Sequence, residues 1–402
     1  MVNIKTSTLL ITGSAHGLVH LLMLALPYIT AKLLEVTAVP PGQEGLVVLL
    51  LNTPSYFIFG LGAIPAGILT DRFAPTRVIT LGLSLTVASG IALFFLWPLG
   101  IGAIALLFIL YSFGAGLYHP AGTTWVSNVF PENRGKALGR HGIGGSIGQA
   151  ASPIISATIL STPAWPLIFP FLATAGLIVS FICVRFHTER LHPEDEAPSA
   201  SASKSGLFSA MSVVVFGLMS VTLISRGMFY RASVTALPIY LNRELQALLI
   251  LAGLLGTLIY VGGAIGQEVG GRLTDRVGWQ IVLIYSCILS SISLLLLSLP
   301  YSPNVLNDMR LISAIMLFGF SYFAAQAASN TMVALLATPQ NRGTVFGYSF
   351  FARFGLGAFG IIIVSSYQLI YGTWVTGFLA LAFLTLLAAA CIPFIKPRDK
   401  SK

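Results

Sequence analysis

Histidine and arginine side chains lie inside long apolar runs of this sequence, where an ionisable group is costly. His16 and His20 are four residues apart, as are Arg226 and Tyr230, so each pair shares one face of a helix. An imidazole titrates near neutral pH, and a guanidinium presents a fork of donors that fits a carboxylate or a phosphate. These residues could therefore exchange protons and bind an anion.

Further polar side chains extend this set, and no Asp or Glu lies at the centre of an apolar run to neutralise the arginines. The residues predicted to bind an anionic ligand are His20, Tyr118, Arg226, Tyr230, Gln326, Asn330 and Arg353. The residues predicted to carry protons are His16, His20 and His119. The side chain of Arg231 could take either of two orientations. It could point toward the same ligand, or it could extend outward so that its charged end reaches the membrane surface.

Neither a metal ion nor a cofactor is expected. His16 and His20 could ligate a transition metal, but no carboxylate or cysteine ligand lies near them in the sequence. The three cysteines have neither metal-ligand spacing nor the pattern of a disulfide framework. No catalytic triad or phosphate-binding loop is present, so an enzyme is not expected either.

The composition indicates that lipid is the main solvent of the chain. Charged residues make up 9% of it, against roughly 25% in soluble domains. Spanning helices need about 20 apolar residues, and twelve segments qualify: 8–33, 44–69, 77–97, 101–127, 136–160, 165–186, 208–240, 247–270, 279–299, 310–335, 344–370 and 374–395. The prediction is an all-α integral membrane protein, with bends or breaks near prolines such as Pro65 and Pro120.

The polar stretch 187–206 predicts a cytoplasmic linker between an N-terminal bundle, residues 1–186, and a C-terminal bundle, residues 207–402. Most of the 22 basic residues fall on the side that holds both termini, so both termini are predicted to be cytoplasmic in a multi-pass protein of the cell membrane. This asymmetry also explains the net charge of +9 without a nucleic-acid partner.

Two phrases repeat between the halves. Gly67-Ile-Leu-Thr-Asp71-Arg72 returns as Gly271-Arg-Leu-Thr-Asp275-Arg276, and Pro-x-Asn-Arg-Gly occurs at Arg134 and at Arg342. The first phrase resembles the loop signature of the major facilitator superfamily, although neither copy continues as the full signature does. The resemblance implies two pseudo-symmetric six-helix bundles and a cytoplasmic conformational latch. Its predicted members are Gly67, Asp71, Arg72, Arg134, Glu268, Gly271, Asp275, Arg276 and Arg342.

Two local features are similar to the fosmidomycin-resistance branch of drug exporters in that superfamily. Tyr118-His119-Pro120 is one, and the other is a glycine-rich fifth segment in which Gly144 and Gly148 predict a close helix–helix seam. This resemblance implies a monomer that works by alternating access and exports its substrate in exchange for protons.

The sequence-based hypothesis is therefore a secondary active transporter for a small anionic or amphiphilic compound, with protons as coupling ion. Alternatives that stay open are an exporter of lipophilic drugs or lipids, an uptake symporter and a uniporter. A membrane receptor or scaffold on the same fold is the non-transport alternative.

Overall fold

The computed structural model describes residues 4–37, 39–185, 212–302, 304–337 and 342–396, with the backbone alone described for 71, 134, 135 and 342–344. This described part is helical and contains no β-strand. The predicted linker 187–206 and the predicted start at residue 208 lie outside the described residues, so the bundle boundaries stay predictions.

Fifteen α-helices are present in the described ranges. They are α1 Ile4–Val36, α2 Glu44–Leu61, α3 Ala63–Arg72, α4 Pro75–Leu96, α5 Ile101–Gly116, α6 Tyr118–Val129, α7 Arg134–Leu160, α8 Ile168–Arg185, α9 Val213–Ile239, α10 Leu249–Val277, α11 Trp279–Leu297, α12 Met309–Leu336, α13 Arg342–Phe354, α14 Phe359–Tyr371 and α15 Val375–Cys391. They form 12 spans that are long and apolar enough to cross a membrane, because the pairs α2–α3, α5–α6 and α13–α14 each make one span. The prediction of twelve membrane helices is confirmed.

Proline explains two of the three broken spans. A proline ring clashes with the carbonyl four residues before it. For Pro65 and Pro120 those carbonyls belong to Leu61 and Gly116, the residues at which α2 and α5 end. Other prolines, such as Pro153 of α7, lie inside continuous helices. A proline in an apolar run therefore breaks the span at only some positions.

The two halves pack in the same pattern. In the first half α1 packs on α7, α4 on α8, and α2 on α5. In the second half the counterparts are α9 on α14, α11 on α15, and α10 on α12. The halves meet mainly where α7 packs on α10 and where α2 packs on α14. Two pseudo-symmetric six-helix bundles are therefore present, as predicted.

Glycines let α1 and α7 approach until their backbones touch. A Cβ atom on Gly148 would lie 1.9 Å from the backbone oxygen of Gly17, and one on Gly144 would lie 2.1 Å from that of Gly13. No side chain fits in such a gap. The glycine seam predicted from the fifth segment thus holds α1, with its two histidines, against α7.

Candidate functional site

A central cavity of about 800 Å³ lies between the bundles. One side is lined by α1, α6 and α7, and the other by α9, α10, α12 and α13. The cavity brings together most side chains that the sequence analysis selected. Those that line it are His16, His20, His119, Arg226, Tyr230, Gln326, Asn330 and Arg353.

The N-terminal side carries an imidazole wall, formed by His16, His20 and His119. The Nε2 atoms of His16 and His20 are 3.1 Å apart, at hydrogen-bond distance, so one of these atoms carries the proton. The ring of His119 lies 5.2 Å from that of His16 and 5.3 Å from that of His20, measured between centroids. The three imidazoles form one cluster, although His119 is about 100 residues from the other two in sequence.

Two residues of α7 support this wall, and the sequence analysis selected neither for it. The side-chain amide nitrogen of Gln149 lies 3.4 Å from Nδ1 of His20. The ring of His141 stacks on that of His16 at 4.5 Å, and Nδ1 of His16 lies 3.4 Å from the backbone oxygen of His141. The glycine seam explains these contacts, because it brings α7 directly beside the histidines of α1.

The C-terminal side carries a guanidinium wall, formed by Arg226 and Arg353. Arg226 is 3% exposed, and one of its terminal nitrogens donates to the backbone oxygen of Tyr322 at 2.6 Å. Its other terminal nitrogen, NH1, is buried and has no hydrogen-bond partner in the described part of the chain. Because NH1 is buried, this donor becomes available to a ligand only if the Arg226 side chain moves.

Within the described part of the chain, Arg353 is held by long hydrogen bonds only. Its Nε donates to the backbone oxygen of Ser349 at 3.3 Å, and a terminal nitrogen donates to Asn330 Oδ1 at 3.5 Å. Hydrogen bonds of this length are weak. The Arg353 fork could therefore turn toward an anion in the cavity at little cost.

No carboxylate neutralises these arginines within the described part of the chain. The four ion pairs found there are Lys32–Glu35, Arg243–Glu44, Arg272–Glu268 and Arg310–Asp308. All four involve residues near the ends of spans rather than their centres. An unpaired guanidinium inside a membrane protein is costly unless a ligand or water solvates it.

Arg231 takes neither of the two orientations that the sequence left open. Its guanidinium lies over the rings of Tyr56 at 4.5 Å, Phe354 at 5.0 Å, Tyr230 at 5.6 Å and Phe59 at 5.8 Å. Tyr56 and Phe59 belong to the first bundle and the other two rings to the second. Arg231 is buried in an aromatic box between the bundles, and aromatic faces attract cations by about 0.5–2 kcal/mol each.

Tyr118 does not line the cavity, in contrast to the other predicted binding residues. Its hydroxyl donates to the backbone oxygen of Thr12, and its ring stacks 5.7 Å from that of His16. Since α6 begins at Tyr118, the ring points back toward α1 rather than into the open space. Tyr118 is placed to hold His16 in position.

Aromatic rings cover much of the C-terminal side. Tyr230 stacks on Tyr322 with 4.2 Å between centroids, and its hydroxyl lies 3.1 Å from that of Tyr260. The sequence analysis missed Tyr322 and Tyr260. Spacing could have found Tyr322, because it precedes Gln326 by four residues and Asn330 by eight on one face of α12.

The cavity opens beside the C-terminal end of α10. Glu268 lines this mouth and pairs with Arg272 at 2.5 Å, with both side chains well exposed. Glu268, a predicted latch member, therefore also lines the cavity at its mouth, because the unbroken helix α10 keeps it on the lining face. Among the described residues, no other Asp or Glu lines the cavity.

Of the predicted latch residues, Glu268 lines this mouth. Asp275 and Arg276 are exposed at the end of α10, and a Cβ atom on Gly67 or Gly271 would meet no atom within 4 Å. These two glycines therefore do not mark close helix contacts here. Arg72 ends α3. The side chains of Asp71, Arg134 and Arg342 lie outside the described residues, so the latch stays a prediction.

The opposite end is sealed by polar contacts between the bundles. The buried carboxylate of Glu44 accepts from Gln368 Nε2 at 2.9 Å and from Arg243 at 3.5 Å. The backbone N–H of Gly45 donates to Gln368 Oε1 at 2.7 Å. These contacts hold the bundles together at this end.

Comparison with known proteins gives matches along almost the whole chain. Residues 8–361 and 219–402 match the family model described as Major Facilitator Superfamily. The uncharacterized MFS-type transporter YfnC of Bacillus subtilis is 24% identical, over 98% of this chain and 93% of its own. A probable 4-methylmuconolactone transporter of Cupriavidus pinatubonensis is 24% identical, over 78% and 73%. The riboflavin transporter RibZ of Clostridioides difficile is also 24% identical, over 61% and 63%.

Solved structures share the fold at low sequence identity. A D-xylose-proton symporter superposes with a TM-score of 0.77 at 14% identity, with both chains fully covered. A bacterial homolog of the human lysosomal transporter Spinster, in an inward-facing and unoccupied conformation, gives 0.76 at 12% identity and covers 98% of this chain and 97% of its own. These likenesses establish the arrangement of helices and not the solute.

Proposed function

This chain belongs to the Major Facilitator Superfamily and is a multi-pass membrane transporter, and from this premise we propose what it carries and how. The central cavity binds a small anionic or amphiphilic organic compound. The two bundles rock about that site by alternating access. Export of the compound is coupled to protons through the imidazole wall.

The observation that carries the proposal is the unneutralised positive charge of the guanidinium wall. Arg226 and Arg353 both line the cavity, and neither belongs to an ion pair in the described ranges. A carboxylate, phosphate or phosphonate could accept two parallel hydrogen bonds from such a fork. A cation would be repelled by the same wall.

The aromatic rings favour an amphiphilic compound over an inorganic anion. Tyr230 and Tyr322 stack beside the arginines, and Phe323 lies with its ring at right angles to that of Tyr322. A planar apolar body could lie against these rings while its charged end meets Arg226. The relatives named for riboflavin and 4-methylmuconolactone support an organic solute as well.

Proton coupling follows from the position of the imidazole wall opposite the arginines. The Nε2 atoms of His16 and His20 lie 3.1 Å apart, close enough to hold one proton between them. An apolar body that covers the wall displaces its water, and loss of hydration favours release of a proton bound there. Substrate and proton would then exclude each other, which is the condition for exchange.

Alternating access is supported by the contrast between the two ends. The mouth beside Glu268 is open, whereas Glu44, Arg243 and Gln368 close the other end. We place the mouth and both termini on the cytoplasmic side of the cell membrane, because the loops at this end carry most basic residues. In this orientation the structure is ready to load a substrate from the cytoplasm.

The test is proton flux in proteoliposomes that contain a pH-sensitive dye. Fosmidomycin and a panel of phosphorylated and carboxylated compounds are added one at a time. We expect at least one anion to move protons in the wild type and none to do so in Arg226→Ala. Arg310→Ala is the matched control, because Arg310 pairs with Asp308 in an exposed position outside the cavity.

Two outcomes would contradict the proposal. Normal flux in Arg226→Ala would exclude an anion site at the guanidinium wall. If folded wild-type protein moves no protons with any compound of the panel, the alternatives are favoured. These are a lipophilic drug or lipid exporter, a uniporter, or a receptor on this fold. Proton movement in the direction of the substrate would identify an uptake symporter. The monomeric state stays a prediction.

A further inference from the structure

The imidazole wall has the composition of a metal site. His16 and His20 lie one turn apart on α1, a spacing that places two imidazoles on one face and chelates zinc in other helices. The structure adds His119 from the start of α6. Ligand nitrogens of the three histidines all lie within 4.8 Å of one another.

One of these nitrogens is buried without a partner. Nε2 of His119 has no hydrogen-bond partner in the described part of the chain. An unsatisfied buried nitrogen costs about 1–3 kcal/mol, and a bound ion removes that cost by accepting its lone pair. His20 is oriented from the other side by Gln149, which approaches its Nδ1 at 3.4 Å. A second hydrogen bond of this kind fixes the ring of a metal-ligating histidine.

We propose that His16, His20 and His119, in the state in which they carry no transported proton, bind a divalent late transition metal ion, of which Zn²⁺ is the reference. Imidazole nitrogen suits zinc, copper, nickel and iron. Zn–N bonds of about 2.0–2.1 Å need ligand atoms about 3.3 Å apart. The pair on α1 is near that separation at 3.1 Å, and the ligand nitrogen of His119 lies within 4.8 Å of both.

Three protein ligands leave one tetrahedral position open toward the cavity. Zinc sites with three protein ligands keep water or a substrate in the fourth position. All three histidines line the cavity, so this fourth ligand could be water or an anion lying between the two walls. The sequence analysis identified only His16 and His20 as possible ligands and therefore expected no metal. The packing of the helices brings His119 to them as a third.

The experiment measures Zn²⁺ binding by calorimetry on the purified full chain. Purification uses an affinity tag without histidine, and no transport substrate is present, so the result does not depend on the proposed function. We expect one saturable site per chain. His119→Ala and His20→Ala should each weaken it by about 100-fold or more, since loss of mere outer-shell partners already costs roughly 10–100-fold.

His141→Ala is the matched control. His141 stacks on His16 but does not belong to the three-ligand group, and the backbone oxygen near His16 Nδ1 remains in this variant. We expect its zinc affinity to fall by less than that of either ligand variant. Folding of each variant is checked by gel filtration and thermal unfolding, and His119→Asn replaces the alanine variant if that one does not fold.

Co²⁺ provides a second readout. Its visible absorption reports nitrogen ligation in a distorted tetrahedron, and the band should disappear in the His119 variant. The proposal is overturned if the folded wild type shows no saturable Zn²⁺ site, or if the folded His119 variant binds as tightly as the wild type. It is also overturned if His141→Ala alone abolishes binding while His119→Ala does not.

Discussion

The two walls of the cavity differ in kind although the helices that carry them correspond. α1 and α9 are the first helices of their bundles, and each presents polar residues one turn apart, histidines on α1 and Arg226 with Tyr230 on α9. A guanidinium stays charged at physiological pH, whereas an imidazole can bind and release a proton or offer a lone pair. The same backbone arrangement therefore presents two different kinds of polar group on the two sides of the cavity.

The close helix packing behind both walls is the same. In the first bundle Gly148 brings α7 onto Gly17 of α1. In the second, a Cβ atom on Gly227 of α9 would lie 2.3 Å from the backbone oxygen of Arg353, and one on Gly360 would lie 2.6 Å from that of Met228. The two halves therefore share close glycine contacts between helices, but they differ in the side chains that these contacts position.

The largest expected effect comes from breaking the seam behind the imidazole wall. Gly148→Ala would place a methyl group 1.9 Å from a backbone oxygen, and neither helix can move without losing its neighbours. We expect a loss of about 3 kcal/mol or more of stability, the upper range for overpacking. Thermal unfolding in detergent measures it. Gly142→Ala is the control on the same helix, because its Cβ would meet nothing within 4 Å; equal stability of the two variants would contradict the seam.

The next largest effect is expected when a charge is removed from the guanidinium wall. Arg353→Ala should weaken binding of an anionic substrate by roughly 10- to 150-fold, because a hydrogen bond to a charged group contributes about 1.5–3 kcal/mol. Arg353→Lys should recover only part of this affinity, since it restores the charge without the fork. Substrate binding by calorimetry checks both variants. Full recovery in the lysine variant would show that charge alone matters at this position.

A smaller and more selective effect is expected on the imidazole wall. His119→Gln should keep substrate affinity close to that of the wild type and remove the proton signal that accompanies transport. The reason is that the proposed mechanism assigns anion binding to the guanidinium wall and proton exchange to the histidines. Paired measurements of substrate uptake and dye response separate the two. Loss of binding together with the proton signal would mean that the walls do not divide these tasks.

The smallest effect is expected at the third buried guanidinium. Arg231→Lys keeps a cation inside the aromatic box, where the attraction to each ring is about 0.5–2 kcal/mol for either cation. Stability should change by about 1 kcal/mol or less, and anion affinity should not change, since Arg231 does not line the cavity. Calorimetric binding and unfolding measure these quantities. A large loss of anion affinity would place Arg231 in the binding site.

The sequence predicted the membrane fold well because its signals are local. Apolar length identifies each span, and the repeated phrases relate the halves. Interruptions of the spans were harder to predict, because Pro153 is accommodated inside a helix whereas Pro65 and Pro120 are not. Whether a proline breaks a span depends on the residues that pack around it. The sequence alone does not show which residues those are.

For the candidate site, spacing along one helix was informative and contacts between helices were not. Pairs such as Gln326 and Asn330 follow from helical periodicity, and both line the cavity. Arg231 was ambiguous because its aromatic partners come from α2, α9 and α13. Gln149 meets His20 only through the packing of α7 on α1. Long-range packing of this kind has no signature in a single sequence.

The seal around Glu44 has a consequence for the speed of the transport cycle. Three hydrogen bonds join the bundles there, through Glu44, Gly45, Arg243 and Gln368, and all must break before this end can open. At about 1 kcal/mol net for each, they hold this end closed by about 3 kcal/mol. Each 1.36 kcal/mol added to a barrier slows a step about tenfold. The strength of these hydrogen bonds therefore limits the turnover rate, although they lie far from the residues of the proposed substrate site.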